Sequence, residues 1–231
     1  NILSLMFKRA HNLGTTKYIP EMPTMNIVNR ARTSYFNKEL NLINRQLEKE
    51  YEKTEDKEYL EIKDYINLIR SAGFRPGIQP LMIKNFQHQF LIDKKNPSEP
   101  ILQFTLFDTK TSPKHKLTCH PYFTKNIFPE IKNRIEKRSS EDYLLFPNEK
   151  NRQKLYNRIS KVFVRISKEL NLYYRNGQSR PLYSIRHTFI SNRYNSGTSL
   201  ELLAKTSNTS EKMLRKHYLD NEETMAIEEH K

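Results

Sequence analysis

Between residues 149 and 171 apolar side chains return at helical spacing: Leu155, Ile159, Val162, Ile166 and Leu170. A stripe of that period is buried only if the segment is a helix packed on other elements. The same period governs residues 37–51, through Leu40, Ile43 and Leu47, and residues 56–71, through Ile62, Tyr65, Ile66 and Ile69. One block breaks it. Residues 81–91 and 101–119 read as strands, with Leu81 to Phe86, Ile101 to Phe107 and Lys116 to Cys119 as their cores and Thr111–His115 as a hairpin turn. Helical patterns resume over 124–138, 184–195 and two shorter stretches ending near residue 218. The expected fold class is therefore α+β, mostly helical, with a small antiparallel β-sheet between helices.

Boundary residues support these limits. Gly73 falls where a helix end requires a left-handed residue. Ser199 precedes one short helix as a cap, and the cluster Ser207–Ser210 precedes another. Residues 2–13 form a helix with Leu3, Met6, Ala10 and Leu13 on one face, followed by a linker that Pro20 and Pro23 keep extended. The sequence begins with Asn1 rather than Met and reads as a piece of a longer protein.

Charge narrows the choice of partner. Forty Lys and Arg residues oppose 26 Asp and Glu, a net charge of +14. That balance favours a polyanion, nucleic acid first. On residues 149–171 the cations Lys154, Arg158, Lys161, Arg165 and Lys168 line up beside the apolar stripe with no acid between them, as on a DNA-facing helix. Arg30 and Arg32 in the linker are placed to meet a nucleic acid backbone or simply water. The single cysteine, Cys119, excludes a disulfide within the chain and fits a reducing cytoplasm. No apolar run has the length of a membrane span. His115, Cys119 and His120 fit no zinc spacing, so no metal or cofactor is expected.

Three short blocks carry chemistry. Ala72-Gly73-Phe74-Arg75-Pro76-Gly77 puts an arginine at a helix end. Leu182-Tyr183-Ser184-Ile185-Arg186-His187 puts a second one inside a helix start. Leu202 to Tyr218 ends in Lys216-His217-Tyr218. Arginines clamp a phosphodiester with forked, permanently charged donors, and a tyrosine hydroxyl can attack it.

In this order and spacing the blocks resemble the catalytic domain of tyrosine recombinases of the phage-integrase type, from about residue 36 to the end. The resemblance implies a domain division of 1–35, the last helix of an amino-terminal core-binding domain plus linker, and 36–231, the catalytic domain with its tail. It implies a site-specific DNA recombinase that cleaves and rejoins double-stranded DNA through a 3′-phosphotyrosine, needing neither metal nor nucleotide. Tyr218 corresponds to the nucleophile and Arg75 and Arg186 to the clamps. Lys110 corresponds to the general acid, with Lys114 and Lys116 in competition. Exchange implies a homotetramer on DNA, with the acidic tail 221–231 docking on a neighbour, and a DNA-associated cytoplasmic protein of bacterial or phage origin.

The sequence departs from the family pattern at three positions. Tyr183 stands where a histidine or lysine is common, Thr209 where a histidine or tryptophan is common, and Ile78 where an acidic residue follows the first arginine. Tyr183 and Thr209 can still donate to a phosphate oxygen. His187, next to Arg186 on the helix, reads as a buried structural residue, and His217 as packing or phosphate contact. These departures motivate a second reading, a recombinase-like DNA-binding protein that does not cut; a type IB topoisomerase-like enzyme is a third.

Overall fold

The structure is a computed structural model and describes residues 2–20, 33–92, 97, 100–109 and 112–216. Two compact units divide the chain, Asn1–Arg30 and Ala31–Lys231. The first holds α1 (Ile2–Asn12), the helix its apolar period predicts.

The second unit opens with α2 (Asn37–Thr54) and α3 (Glu58–Ala72). Two short 3-10 turns follow, Gln79–Met82 and Asn85–Gln87, then β1 (His88–Leu91), β2 (Ile101–Thr109) and β3 (Ser112–Thr118). A single π turn, Phe123–Ile127, leads into α4 (Phe128–Ile135), and α5 (Arg152–Glu169) comes next. A two-stranded ribbon, β4 (Tyr174–Arg175) and β5 (Gln178–Ser179), precedes α6 (Tyr183–Asn195), α7 (Leu200–Ser207) and α8 (Glu211–Leu214). This is the mostly helical α+β fold with one small antiparallel sheet that the sequence predicts.

Local chemistry sets the helix ends. Glu39 turns back to accept from the Phe36 N–H at 2.7 Å, starting α2. Asn151 caps α5 by accepting from Lys154 N–H at 2.9 Å. Ser199 and Ser210 cap α7 and α8 as expected. Gly73 ends α3 with φ of 67°, the left-handed conformation foreseen for it.

The three-stranded sheet has order β1-β2-β3, with Leu106 opposite His115 and Phe104 opposite Leu117. Three features differ from expectation. Leu81 to Phe86 do not form a strand; Pro80, without an N–H, opens a 3-10 turn there, and strand pairing starts at His88. The hairpin turn is not at Thr111–His115, because Thr109 already pairs with Ser112 and β3 runs through Pro113 and His115. β3 is an edge strand, where a sheet tolerates proline. The ribbon β4–β5 was not foreseen, although Asn176-Gly177, both at positive φ, is a strong tight-hairpin signal.

Most of the core is one cluster. It joins Leu40, Ile43 and Leu47 of α2, Ile62, Ile66 and Ile69 of α3, Phe104 of β2, and Leu155, Ile159, Phe163 and Ile166 of α5. Phe163 is the fully buried member there, with Val162 packed beside it against the core. A smaller cluster of Phe189, Ile190, Leu203 and Leu214 fastens α7 and α8 to α6.

The entry to this unit is tied down by Arg180. Its guanidinium gives all five N–H groups to protein oxygens: Leu172 O twice, Ser34 O, and both oxygens of Glu39 at 2.8 and 3.0 Å. Tyr35, wholly buried, donates from its hydroxyl to Arg180 O at 2.6 Å and from its N–H to Thr188 Oγ1 at 2.9 Å. Burial pushes the Tyr35 phenol up to about 12, so it stays a donor.

Gly73 has a second constraint beyond its φ. A Cβ there would fall 2.3 Å from the buried Phe189 ring. Gly197 also has positive φ, but nothing lies within 4 Å of its Cβ position. Gly73→Ala is expected to destabilise the fold by roughly 2–4 kcal/mol and Gly197→Ala by about 1 kcal/mol, the left-handed penalty alone. Urea unfolding of the two variants measures the difference, and equal losses would show that Phe189 moves aside freely.

Candidate functional site

The first arginine lies on the loop that leaves α3. Tyr65, on α3 itself, holds that loop: its hydroxyl donates to Gly77 O at 2.9 Å and accepts from Gly77 N–H at 3.0 Å. Burial drives the Tyr65 phenol far above its ordinary range, so it keeps the proton this double role needs. Arg75 is thereby carried on a pinned turn. Its side chain is exposed and, among the described residues, makes no hydrogen bond or ion pair. Ile78, in place of an acid, is partly exposed in an apolar groove with Met82 and Phe107. The loop takes its support from Tyr65 instead.

The second arginine sits in the first turn and a half of α6 and is only 2 % exposed. Arg186 donates from Nη1 to Gly73 O and from Nη2 to Ser207 O, each at 2.5 Å, and its Nε is buried with no partner. Arg180, by contrast, has every donor spent. Arg186 leaves one buried N–H unspent, as Arg152 leaves two nitrogens, so its place in the site rests on the cavity it lines.

Both arginines line one small cavity of about 50 Å³, together with Gln79, Leu106, His115, Leu117, Ser207 and Asn208. Among the described residues no carboxylate lines it. His115 reaches it from β3, opposite Leu106, and its Nε2 lies 3.2 Å from Thr206 O. Burial lowers the affinity of the His115 ring for a proton; the Thr206 bond opposes this and the Arg186 charge adds to it. Two guanidinium groups around a space free of negative charge make an anion site, suited to a phosphate or phosphodiester.

The same two elements, the end of α3 and α6, also line a larger cavity of about 480 Å³. It contains Arg70, His120 and Arg193 and, among the described residues, no carboxylate. Arg70 spends its donors on the amide oxygens of Asn37 and Asn41, at 3.0 and 2.7 Å, and its charge is not cancelled there. Burial holds the His120 ring below its usual range, and Arg193 adds to the effect.

The residues singled out from sequence fare differently. Arg75 and Arg186 come together. Tyr183 does not line their cavity; its ring meets His187 edge-on at 5.5 Å, and His187 is buried. Thr209 is half-buried directly after Asn208, with its N–H on Ala204 O at 3.1 Å, and it too is not part of the lining. Lys110, Tyr218, His217, Arg30 and Arg32 lie outside the described residues. Lys114 and Lys116 are exposed, and strand alternation sets them on the sheet face opposite His115 and Leu117. Among the described residues no three His, Cys, Asp or Glu side chains group as metal ligands.

The basic stripe of α5 is not bare. Arg158 pairs with Glu58 of α3 at 2.6 Å and with Glu149. Arg165 pairs with Glu169 at 3.1 Å and with Glu50 of α2 at 3.4 Å. Lys161 remains exposed. The stripe carries no acid of its own between these cations, but packing brings carboxylates from other helices, which sequence spacing does not reveal. Arg158 and Arg165 thus tie α5 to α3 and α2, and Arg165 stays exposed beside Lys161. Conversely, sequence reasoning passed over His115, Ser207, Asn208 and Tyr65. For His115 the signal was present: its alternation with Leu117 and Cys119 on one strand face.

No family model matches the chain, and no curated protein matches it. Solved structures do. A XerH site-specific recombinase bound to a palindromic difH substrate, in a post-cleavage complex, superposes with a TM-score of 0.61 at 18 % identity over 97 % of this chain. A lambda integrase dimer bound to a COC′ core site gives 0.61 at 15 % identity over 94 %, covering 70 % of its chain. A Tn1549 transposon integrase with transposon right end DNA gives 0.55 at 15 % identity over 93 %, covering 71 %. The chain spans 64 % and 61 % of the length of the two XerH structures. The fold is thus that of tyrosine recombinase catalytic domains.

The two arginines are expected to differ in what they hold up. Arg75→Ala removes an unpaired, exposed side chain and should leave urea stability within about 0.5 kcal/mol. Arg186→Ala strips the donors from two carbonyls in the interior and should cost roughly 2–4 kcal/mol. Equal, small losses in both variants would mean that the Gly73 and Ser207 bonds contribute nothing.

Proposed function

We propose that this chain is the DNA-cleaving part of a site-specific recombinase of the integrase type. The observation that supports it most is the meeting of Arg75 and Arg186, from separate sequence blocks, in one cavity that no described carboxylate lines. Several of the solved structures of like fold are complexes with DNA, and the net charge of +14 suits the same partner. Arg70, His120 and Arg193 extend the cationic surface along α3 and α6 and are proposed to meet the DNA backbone.

The chemistry follows from what a phosphodiester needs. Tyr218 Oη attacks phosphorus, a bond to the 3′ phosphate forms, and the bond to the 5′ oxygen breaks. Arg75 and Arg186 hold the non-bridging oxygens as negative charge grows on them. Lys110 gives the leaving 5′ oxygen its proton. The phosphotyrosine keeps the bond energy, and a second strand's 5′ hydroxyl reverses the reaction without ATP. Exchange between two sites calls for a homotetramer, with the tail 221–231 on a neighbouring copy. Residues 1–35 then represent the end of a preceding core-binding domain.

One observation favours the non-cutting reading. Neither Tyr183 nor Thr209 adds a donor to the cavity. A single assay separates the readings. On a nicked suicide substrate the parent protein should form a covalent protein–DNA adduct, unaffected by EDTA. Tyr218→Phe should abolish it with DNA affinity unchanged, since only the attacking oxygen is lost. Arg75→Ala should slow it by about a hundredfold or more while the protein stays folded. An adduct that persists in the Phe variant would relocate the nucleophile, with Tyr183 next to test. No adduct from the parent on its own site would leave the DNA-binding reading standing, and relaxation of supercoiled DNA without synapsis would favour a topoisomerase.

A further inference from the structure

A hydroxyl that attacks phosphorus must lose its proton. The two guanidinium groups of the cavity cannot take it, because arginine stays protonated at any working pH. Gln79, Ser207 and Asn208 do not exchange protons near neutrality, and Leu106 and Leu117 are inert. His115 is the one side chain in the described lining that can.

Its setting fixes which nitrogen is available. Thr206 O can only accept, so the Nε2 that faces it at 3.2 Å carries the hydrogen. In the neutral ring Nδ1 therefore holds the lone pair. Nδ1 has no hydrogen bond among the described residues, and the ring lines the cavity. The strand register keeps the ring on the Leu106–Leu117 face, which lines the same space. Burial and the charge of Arg186 both favour the neutral ring, the form a base requires. Arg75 and Arg186 are the charged groups that share the cavity with it; the end of α7 contributes Ser207 and Asn208, which carry none.

We infer that His115 is a catalytic residue of this site, whose Nδ1 receives the proton of the attacking hydroxyl. The inference rests on the DNA-cleaving reading given above. As the Tyr218 Oη–phosphorus bond forms and the phosphorus–O5′ bond breaks, the phenolic proton passes to Nδ1. The O5′ proton comes from the separate donor assigned to Lys110. The imidazolium then faces the phosphate beside the two arginines, and on resealing it returns its proton to the departing phenolate oxygen. Neither Tyr183 nor Thr209 is placed to do this, since neither lines the cavity.

The test is single-turnover adduct formation on the suicide substrate between about pH 5 and 9, with DNA affinity measured in parallel. His115→Gln is the principal variant, because its amide N–H can still donate to Thr206 O while offering no base; His115→Ala accompanies it. In the parent the rate should fall on the acid side as the ring protonates. In His115→Gln it should be about 10²–10⁴-fold lower, the usual worth of a general base, with the acid limb gone and DNA affinity within about threefold. Added imidazole should restore part of the rate in His115→Ala. A His115→Gln protein that cuts within about threefold of the parent sinks the inference and leaves the recombinase reading intact. So does a slower variant that retains the acid limb, since another group would then be titrating. Loss of DNA binding in His115→Gln makes the residue structural and likewise overturns it. A parent that never forms an adduct removes both readings together.

Discussion

One buried guanidinium holds three stretches of chain in register. Arg186 bridges Gly73 O at the end of α3 and Ser207 O at the end of α7 from its own place on α6. Both acceptors are helix-terminal carbonyls that lack intrahelical partners, and each would otherwise be an unpaired polar group in the interior. Arg75 lies two residues beyond the first and Asn208 one residue beyond the second, so the walls of the cavity are placed by the same bonds. The apolar contact that seats α7 and α8 is small, limited to Phe189, Ile190, Leu203 and Leu214. A polar bridge is what gives that corner a defined geometry.

Two of the buried arginines differ in how their donors are spent. Arg180 and Arg186 are equally hidden, at 1 % and 2 % exposure. Arg180 is saturated by Glu39, Ser34 and Leu172, and its charge is cancelled by a carboxylate. Arg186 has only carbonyls for partners and an unused Nε. A guanidinium that keeps its full charge beside an open space projects a field into it, while a carboxylate-paired one does not. The same contrast distinguishes Arg70, held by asparagine amides, from Arg158 and Arg165, held by glutamates.

Much of the fold was legible in the sequence because its signals are local. The periods of α2, α3 and α5, the left-handed Gly73 and the caps Ser199 and Ser210 each depend on a few neighbouring residues. The two arginines were legible as part of a pattern. What could not be read was the outcome of packing. Glu50 and Glu58 pair with cations 115 and 100 residues away, and no spacing rule connects them. Tyr65 supports the Arg75 loop through a hydroxyl that looks, in sequence, like one more apolar member of a helical stripe. His115 was assigned to a turn, where its direction is undefined; strand β3 begins at Ser112, ahead of the expected Lys116, and sets the ring on the face that lines the cavity.

Thr188, two residues past Arg186 on α6, binds the backbone of Tyr35 from both sides. Its Oγ1 accepts from Tyr35 N–H at 2.9 Å, and its one proton lies between Tyr35 O at 3.0 Å and Ser184 O at 3.1 Å. The adjoining clasp of Arg180 on Ser34 and Glu39 fixes the same few residues. Tension arriving along the chain at Thr33 is therefore not absorbed in a slack connector. It is delivered to α6 within one helical turn of the guanidinium that sets the cavity walls. Hydrogen bonds loaded in parallel, as these are, share a pull and yield together, whereas bonds in series open one at a time. The attachment thus behaves as a mechanical rivet: it transmits small forces to the arginine corner stiffly, and beyond a threshold it lets go as a unit.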